Sequence, residues 1–123
     1  MTLQYFLHNA WLWKCGLPED TIQLLPSFDE LQKTEWNKEF EILMRNRLIM
    51  GAMRYGRMGA KDKPKYDRVG SMLKRLNKYH ETGNKEILVD VANLCLMEFV
   101  ECNHPLQHFH AIDENDHVSK INL

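Results

Sequence analysis

Four carboxylates spaced by helical turns carry the clearest chemical potential in this chain. Glu35 and Glu39 lie four apart, as do Glu86 and Asp90, and Asn93 follows three further on. Residues at this spacing share one face of a helix. Two helices packed side by side would bring Glu35 and Glu39 against Glu86 and Asp90. Carboxylates held together repel one another unless a cation balances them. Hard oxygen donors suit Mg²⁺ or Mn²⁺, not zinc, and a weakly caged Mg²⁺ completes its shell with water and substrate phosphates. Arg54, Arg57, Lys61, Lys63, Lys65 and Arg68 follow in sequence and can neutralise such phosphates. The chemistry this set describes is metal-assisted cleavage of a phosphoanhydride. The same residues support a structural reading. Glu35 and Glu39 then sit near a helix start, where the dipole favours acids. Arg47 and Arg54 then serve as ion-pair partners for Asp90.

These residues need helices to place them, and the apolar pattern supplies several. In TGNKEILVDVANLCLMEFVECNHP, Gly83 ends one helix and Asn84 starts the next, as residues favoured just beyond a C-terminus and at an N-cap. Over 84–101, Ile87, Leu88, Val91, Ala92, Leu94, Cys95, Leu96 and Phe99 cover more than half the circumference. A helix apolar on most sides is enclosed by neighbours, so this is the expected central helix. Glu86, Asp90, Asn93, Met97 and Glu101 fall in one narrow polar stripe, which either faces water or points into a site.

Upstream, Ser27 and Glu30 have capping-box spacing. A long helix over 34–54 is expected, with a possible break near Thr34 and with Trp36, Phe40, Leu43, Met44 and Gly51 inward. The stretch YGRMGAKDKPK reads as a loop by its Gly, Pro and Lys content. A helix over 66–81 should bury Val69, Met72, Leu73, Leu76 and Tyr79, with His80 as a satisfied structural histidine on its buried edge. Tyr5 to Lys14 is expected to form a short helix before Gly16 and Pro18, and Phe109 and Ile112 to dock the tail. No stretch sustains a strand period. The expectation is an all-α fold, a small bundle of four to five helices in one domain over 1–123, with 1–26 as an N-terminal arm and 105–123 as a C-terminal tail.

At 123 residues the chain is one domain by size. No run reaches the ~18 apolar residues of a membrane span. The N-terminus lacks a basic leader and a cleavage site, so a cytoplasmic protein is expected. Cys15, Cys95 and Cys102 show no metal-type pairing and read as small buried hydrophobes. Net charge is -1, which gives no global attraction to nucleic acid, but it is unevenly spread. Residues 54–78 hold nine of the sixteen Lys and Arg, and from Glu81 onward there are eight acids and two bases. His104, His108, His110 and His117, with Asp113, Glu114 and Asp116, lie in a stretch without the rigid support a metal site requires.

Acidic pairs on two successive bundle helices, the second largely apolar, resemble the all-α nucleoside triphosphate pyrophosphohydrolases of the MazG-like superfamily. That family carries an E-x-x-E-type motif on one helix and E-x-x-D on a later one. Glu35-Trp36-Asn37-Lys38-Glu39 and Glu86-Ile87-Leu88-Val89-Asp90 are similar in kind, with a spacing of four in place of three. The resemblance spans about Glu35 to Phe99. It implies a helical homodimer that hydrolyses a nucleotide to its monophosphate and pyrophosphate with Mg²⁺ or Mn²⁺. Glu35, Glu39, Glu86 and Asp90 would hold the metal, with Glu39 and Asp90 catalytic. Arg54, Lys61, Lys65 and Arg68 would contact phosphates, and Asn93 would orient substrate. The segments RLIMGAMRYG and TGNKEILVDVANLCLMEF also look like small proteins of phages and mobile elements, which implies no activity. The alternative is a non-enzymatic helical interaction or dimerisation module, with an aromatic N-terminus and Met-rich faces as contact surfaces and ion-paired acids. Nucleic-acid binding through 54–78 lacks a base-reading motif and is not favoured.

Overall fold

Side-chain caps mark the start of three of the four described helices. The structure is a computed structural model that describes residues 26–110 and 120–121. Helix α1 (Phe28–Thr34) starts with the expected capping box: Ser27 Oγ accepts from the Glu30 N–H, and Glu30 Oε2 accepts from the Ser27 N–H, both at 3.3 Å. Two amides that the helix leaves unpaired are thereby satisfied.

Helix α2 (Lys38–Tyr55) begins later than the sequence pattern predicts. Glu35 closes α1, its N–H donating to the Leu31 carbonyl at 2.8 Å. Asn37 then caps α2, its Oδ1 accepting from the Phe40 N–H at 2.7 Å. An Asn side chain competes for backbone amides and favours a helix start over a helix interior. Glu35 and Glu39 therefore do not share a helix, and their four-residue spacing does not stack them on one face.

A loop with positive φ at Gly56 and Gly59 leads to α3 (Arg68–Thr82). Asp67 caps this helix, Oδ1 accepting from the Gly70 N–H at 3.0 Å. Gly83, at φ 71°, ends it in the left-handed conformation that glycine adopts without strain. Helix α4 (Glu86–Val100) follows at once. Its N-cap is Lys85, one residue beyond the expected Asn84, and makes no side-chain cap bond; Asn84 Oδ1 instead accepts from the Glu86 N–H at 3.1 Å just before the helix. All four described helices are α, and no strand occurs among the described residues. None of these helices is long and apolar enough to cross a membrane.

The chain divides into two units, Met1–Trp36 with Phe109–Leu123, and Asn37–His108. Within the second, α4 packs against both α2 and α3, the central position its apolar circumference predicts. The core it makes is thin. Ile87 and Val89 are the buried apolar residues among those described, beside buried Arg68 and Asn93.

Several inward faces expected from periodicity are open instead. Trp36, Leu43, Val69, Leu73 and Leu76 are exposed, whereas Phe40, Met44, Met72 and Tyr79 are half-buried. His80 is exposed, as is Cys95, and Cys102 is half-buried, so none of the three is the enclosed residue predicted. The cause is architectural. A single layer of helices encloses only the sides that face α4, while a full core needs a second layer. The expected helix over Tyr5–Lys14, Cys15 and the docking of Ile112 lie outside the described residues. Phe109 is exposed.

Candidate functional site

The polar stripe of α4 turns toward α2 rather than simply toward water. Glu86, Asp90 and Asn93 recur at i, i+4 and i+7, one side of a helix. Opposite them, Arg47 pairs with Glu86 Oε1 through NH2, and its Nε lies 3.4 Å from Asp90 Oδ1. One turn earlier on α2, the Met44 carbonyl accepts from Asn93 Nδ2 at 3.0 Å. One guanidinium thus serves two carboxylates, as the structural reading of Asp90 requires; Arg54 takes no part. Arg47 supplies the positive charge that a metal was expected to supply. With both acids partly solvated, each pair is worth ~0–1 kcal/mol.

Glu39 lies at the entrance of the same seam. It lines a groove with Asn37, Phe40, Leu43, Arg47, Lys85, Glu86 and Val89. Glu39 and Glu86 are therefore brought to one groove, with Asp90 a turn further along α4. Glu35 is elsewhere in the chain's organisation: it is the C-cap of α1, accepting from the Thr34 hydroxyl at 3.2 Å, and belongs to the other unit. Among the described residues no three His, Cys, Asp or Glu side chains gather around a position that could hold a metal ion. Of the tail histidines, His104 Nδ1 accepts from the Leu106 N–H at 3.0 Å. His117 and the acids at 113, 114 and 116 lie outside the described residues.

The C-terminal end of α4 carries a second ionic cluster that no motif of the sequence marks. Arg68, with 4% of its side chain exposed, donates from NH2 to Glu101 Oε1 and from NH1 to the Glu101 carbonyl, both at 3.1 Å. Its NH1 also lies 3.6 Å from Glu98 Oε1. Lys63 Nζ donates to Glu101 Oε1 at 3.1 Å and the Gly59 N–H to Oε2 at 3.2 Å. The Gly59 amide, then the Lys63 ammonium, hold the Glu101 carboxyl below its ordinary value of 4.5. This cluster ties the 56–67 loop to α4. The basic middle and acidic end of the sequence were its signal. Arg68, expected as a phosphate contact, is here a buried ion-pair partner.

Between α2, α3 and α4 lies a cleft of about 440 Å³. Arg47, Arg54, Lys63, Arg68 and Arg75 line it, against one acid, Asp90. Tyr55 and Tyr66 meet edge to face with ring centroids 6.2 Å apart, and the Arg54 guanidinium stands 5.9 Å from the Tyr55 centroid. Of the predicted phosphate and substrate contacts, Arg54, Arg68 and Asn93 reach this cleft. Lys61 and Lys65 do not line it and are exposed on the loop. Asn93 Oδ1 is buried with no hydrogen-bond partner among the described residues, which costs ~1–3 kcal/mol when left unmet. Comparison with protein families, curated proteins and solved structures finds no match to this chain.

Proposed function

We propose that this chain is a non-enzymatic helical interaction module that associates with a second copy of itself through the outer face of α2. One observation carries this reading. Ile42, Ile49 and Met53 stand exposed along one side of α2, Met53 at 84%, with Leu43 and Met50 on the adjoining side. At 100° per residue these five span about 120° of the helix. Exposed apolar residues grouped along one side of a helix mark a contact site.

The charge pattern favours a second copy as the partner. Helix α2 is acidic in its first turn, at Glu39 and Glu41, and basic in its last, at Arg54. Antiparallel pairing about a two-fold axis sets Glu39, which shares the side of this stripe, toward the other copy's Arg54, while Glu41 is off the stripe and paired with Arg45 in its own helix. A net charge of -1 adds little repulsion between copies. The paired state of Glu86, Asp90, Glu98 and Glu101 agrees with structural acids.

Light scattering across a concentration series tests the proposal. The full chain should be a dimer, and Ile49→Glu should be a folded monomer. A wild-type chain that stays monomeric at every concentration ends this reading.

A second reading, Mg²⁺-dependent hydrolysis of a nucleoside triphosphate, is supported by Glu39 and Glu86 sharing one groove. It predicts pyrophosphate release from NTPs or dNTPs in the presence of Mg²⁺, abolished in Asp90→Ala. Absence of turnover across the panel eliminates it.

A further inference from the structure

We infer that the cleft between α2, α3 and α4 binds a small organic phosphate with an apolar or aromatic body. The inference depends neither on self-association nor on hydrolysis.

Charge selects the anion. Of the five cations on the wall, Lys63 and Arg68 are engaged by Glu98 and Glu101, and Arg47 by Glu86 and Asp90. Arg54 and Arg75 have no carboxylate partner among the described residues. Arg54 leans on the Tyr55 ring, and Arg75 makes a long 3.4 Å bond to the Ser71 carbonyl. Two guanidiniums without carboxylate partners, on the wall of a cleft that is cationic on balance, suit a phosphate dianion, which a guanidinium can grip through paired N–H donors.

Shape and surface select the rest of the ligand. A space of about 440 Å³ matches a small organic molecule and is larger than inorganic phosphate needs. Its other walls are apolar or aromatic, including Met50, Leu94, Met97, Tyr55 and Tyr66. Apolar walls with a few polar groups are the ordinary make-up of a small-molecule site.

Calorimetric titration of the full chain with inorganic phosphate and phenyl phosphate tests both parts. Phenyl phosphate should bind tighter than inorganic phosphate. Arg75→Gln and Arg54→Gln alter exposed side chains that have no carboxylate partner among the described residues, so both should fold normally. Each should weaken phenyl phosphate binding about tenfold. Inorganic phosphate binding as tightly as phenyl phosphate would overturn the organic ligand. No binding of either probe, affinities unchanged in both arginine variants, or preferential retention of single-stranded oligonucleotides would overturn the site altogether.

Discussion

Arg47 Nε lies 3.4 Å from Asp90 Oδ1 while the same guanidinium closes on Glu86, so two acids of the α4 stripe share one cation from α2. This arrangement makes attraction, not repulsion, the dominant local electrostatic effect. Asp90→Asn should therefore lower stability, by up to ~1 kcal/mol given the partial exposure of both partners. Salt should shrink the difference, because solvated charges are screened. Thermal melts at low and high ionic strength measure both effects. Coupling with Arg47→Met in a double-mutant cycle isolates the pair. A rise in melting temperature for Asp90→Asn would instead mean that the acids repel and that Arg47 does not compensate them.

Asn37 starts α2 and thereby keeps Glu35 and Glu39 from sharing one helix face. Its side chain satisfies the Phe40 amide at 2.7 Å. Asn37→Ala should cost about 1 kcal/mol, the usual loss for a helix N-cap. Urea denaturation reads the loss, and faster amide exchange in the first turn of α2 locates it. Asn37→Asp should retain most of the stability, since aspartate caps equally well and its charge suits the helix start.

The helices of this chain were legible because caps and apolar period agreed over most of their length. Ser27 with Glu30 and Gly83 marked boundaries that the structure reproduces, and the largely apolar α4 marked the helix that packs on both neighbours, although Cys95 and Phe99 on it are exposed. Asn37 was the exception. Helical periodicity runs through it, and only its competition for the Phe40 amide breaks the helix there. Burial of α2 and α3 was less legible, because a period shows which side is apolar and not whether anything covers it. Leu43 and Leu73 show this difference. In the site, the stripe of Glu86, Asp90 and Asn93 could be read from spacing, and Arg47 was recognisable as a partner for Asp90. The Glu101 cluster joins residues about 40 apart through a loop. Charge distribution hints at such pairing, but no local pattern specifies it.

Asn46 lies within the exposed apolar stripe of α2, between Ile42 and Ile49, and is itself exposed. A lone polar residue in a helix-pairing seam fixes register at some cost in affinity. If α2 pairs with its copy, Asn46→Leu should strengthen association about tenfold, the gain expected from one more buried apolar side chain. It should also admit higher oligomers. Sedimentation of the variant beside the wild type shows both effects. An unchanged monomer–dimer balance would place the contact on another face.

Glu101 gives the fold a directional response to acid. In the unfolded chain its carboxyl titrates near 4.5, and in the native state it titrates lower, chiefly through the Gly59 amide and Lys63. A lowered native value means that the folded protein holds the proton more weakly than the unfolded chain does. Its contribution is therefore fully present above 4.5 and is lost as pH falls from 4.5 through the native value. Glu101→Gln keeps the shape and removes the titration. Above 4.5 the variant should melt below the wild type, and the two curves should converge as acid protonates Glu101. Exchange at the Gly59 amide should quicken in the variant at neutral pH, since that N–H loses its carboxylate acceptor. Curves that stay parallel through the acid range would show that another group governs the acid response, and unchanged exchange at Gly59 would show that the clamp does not hold the loop.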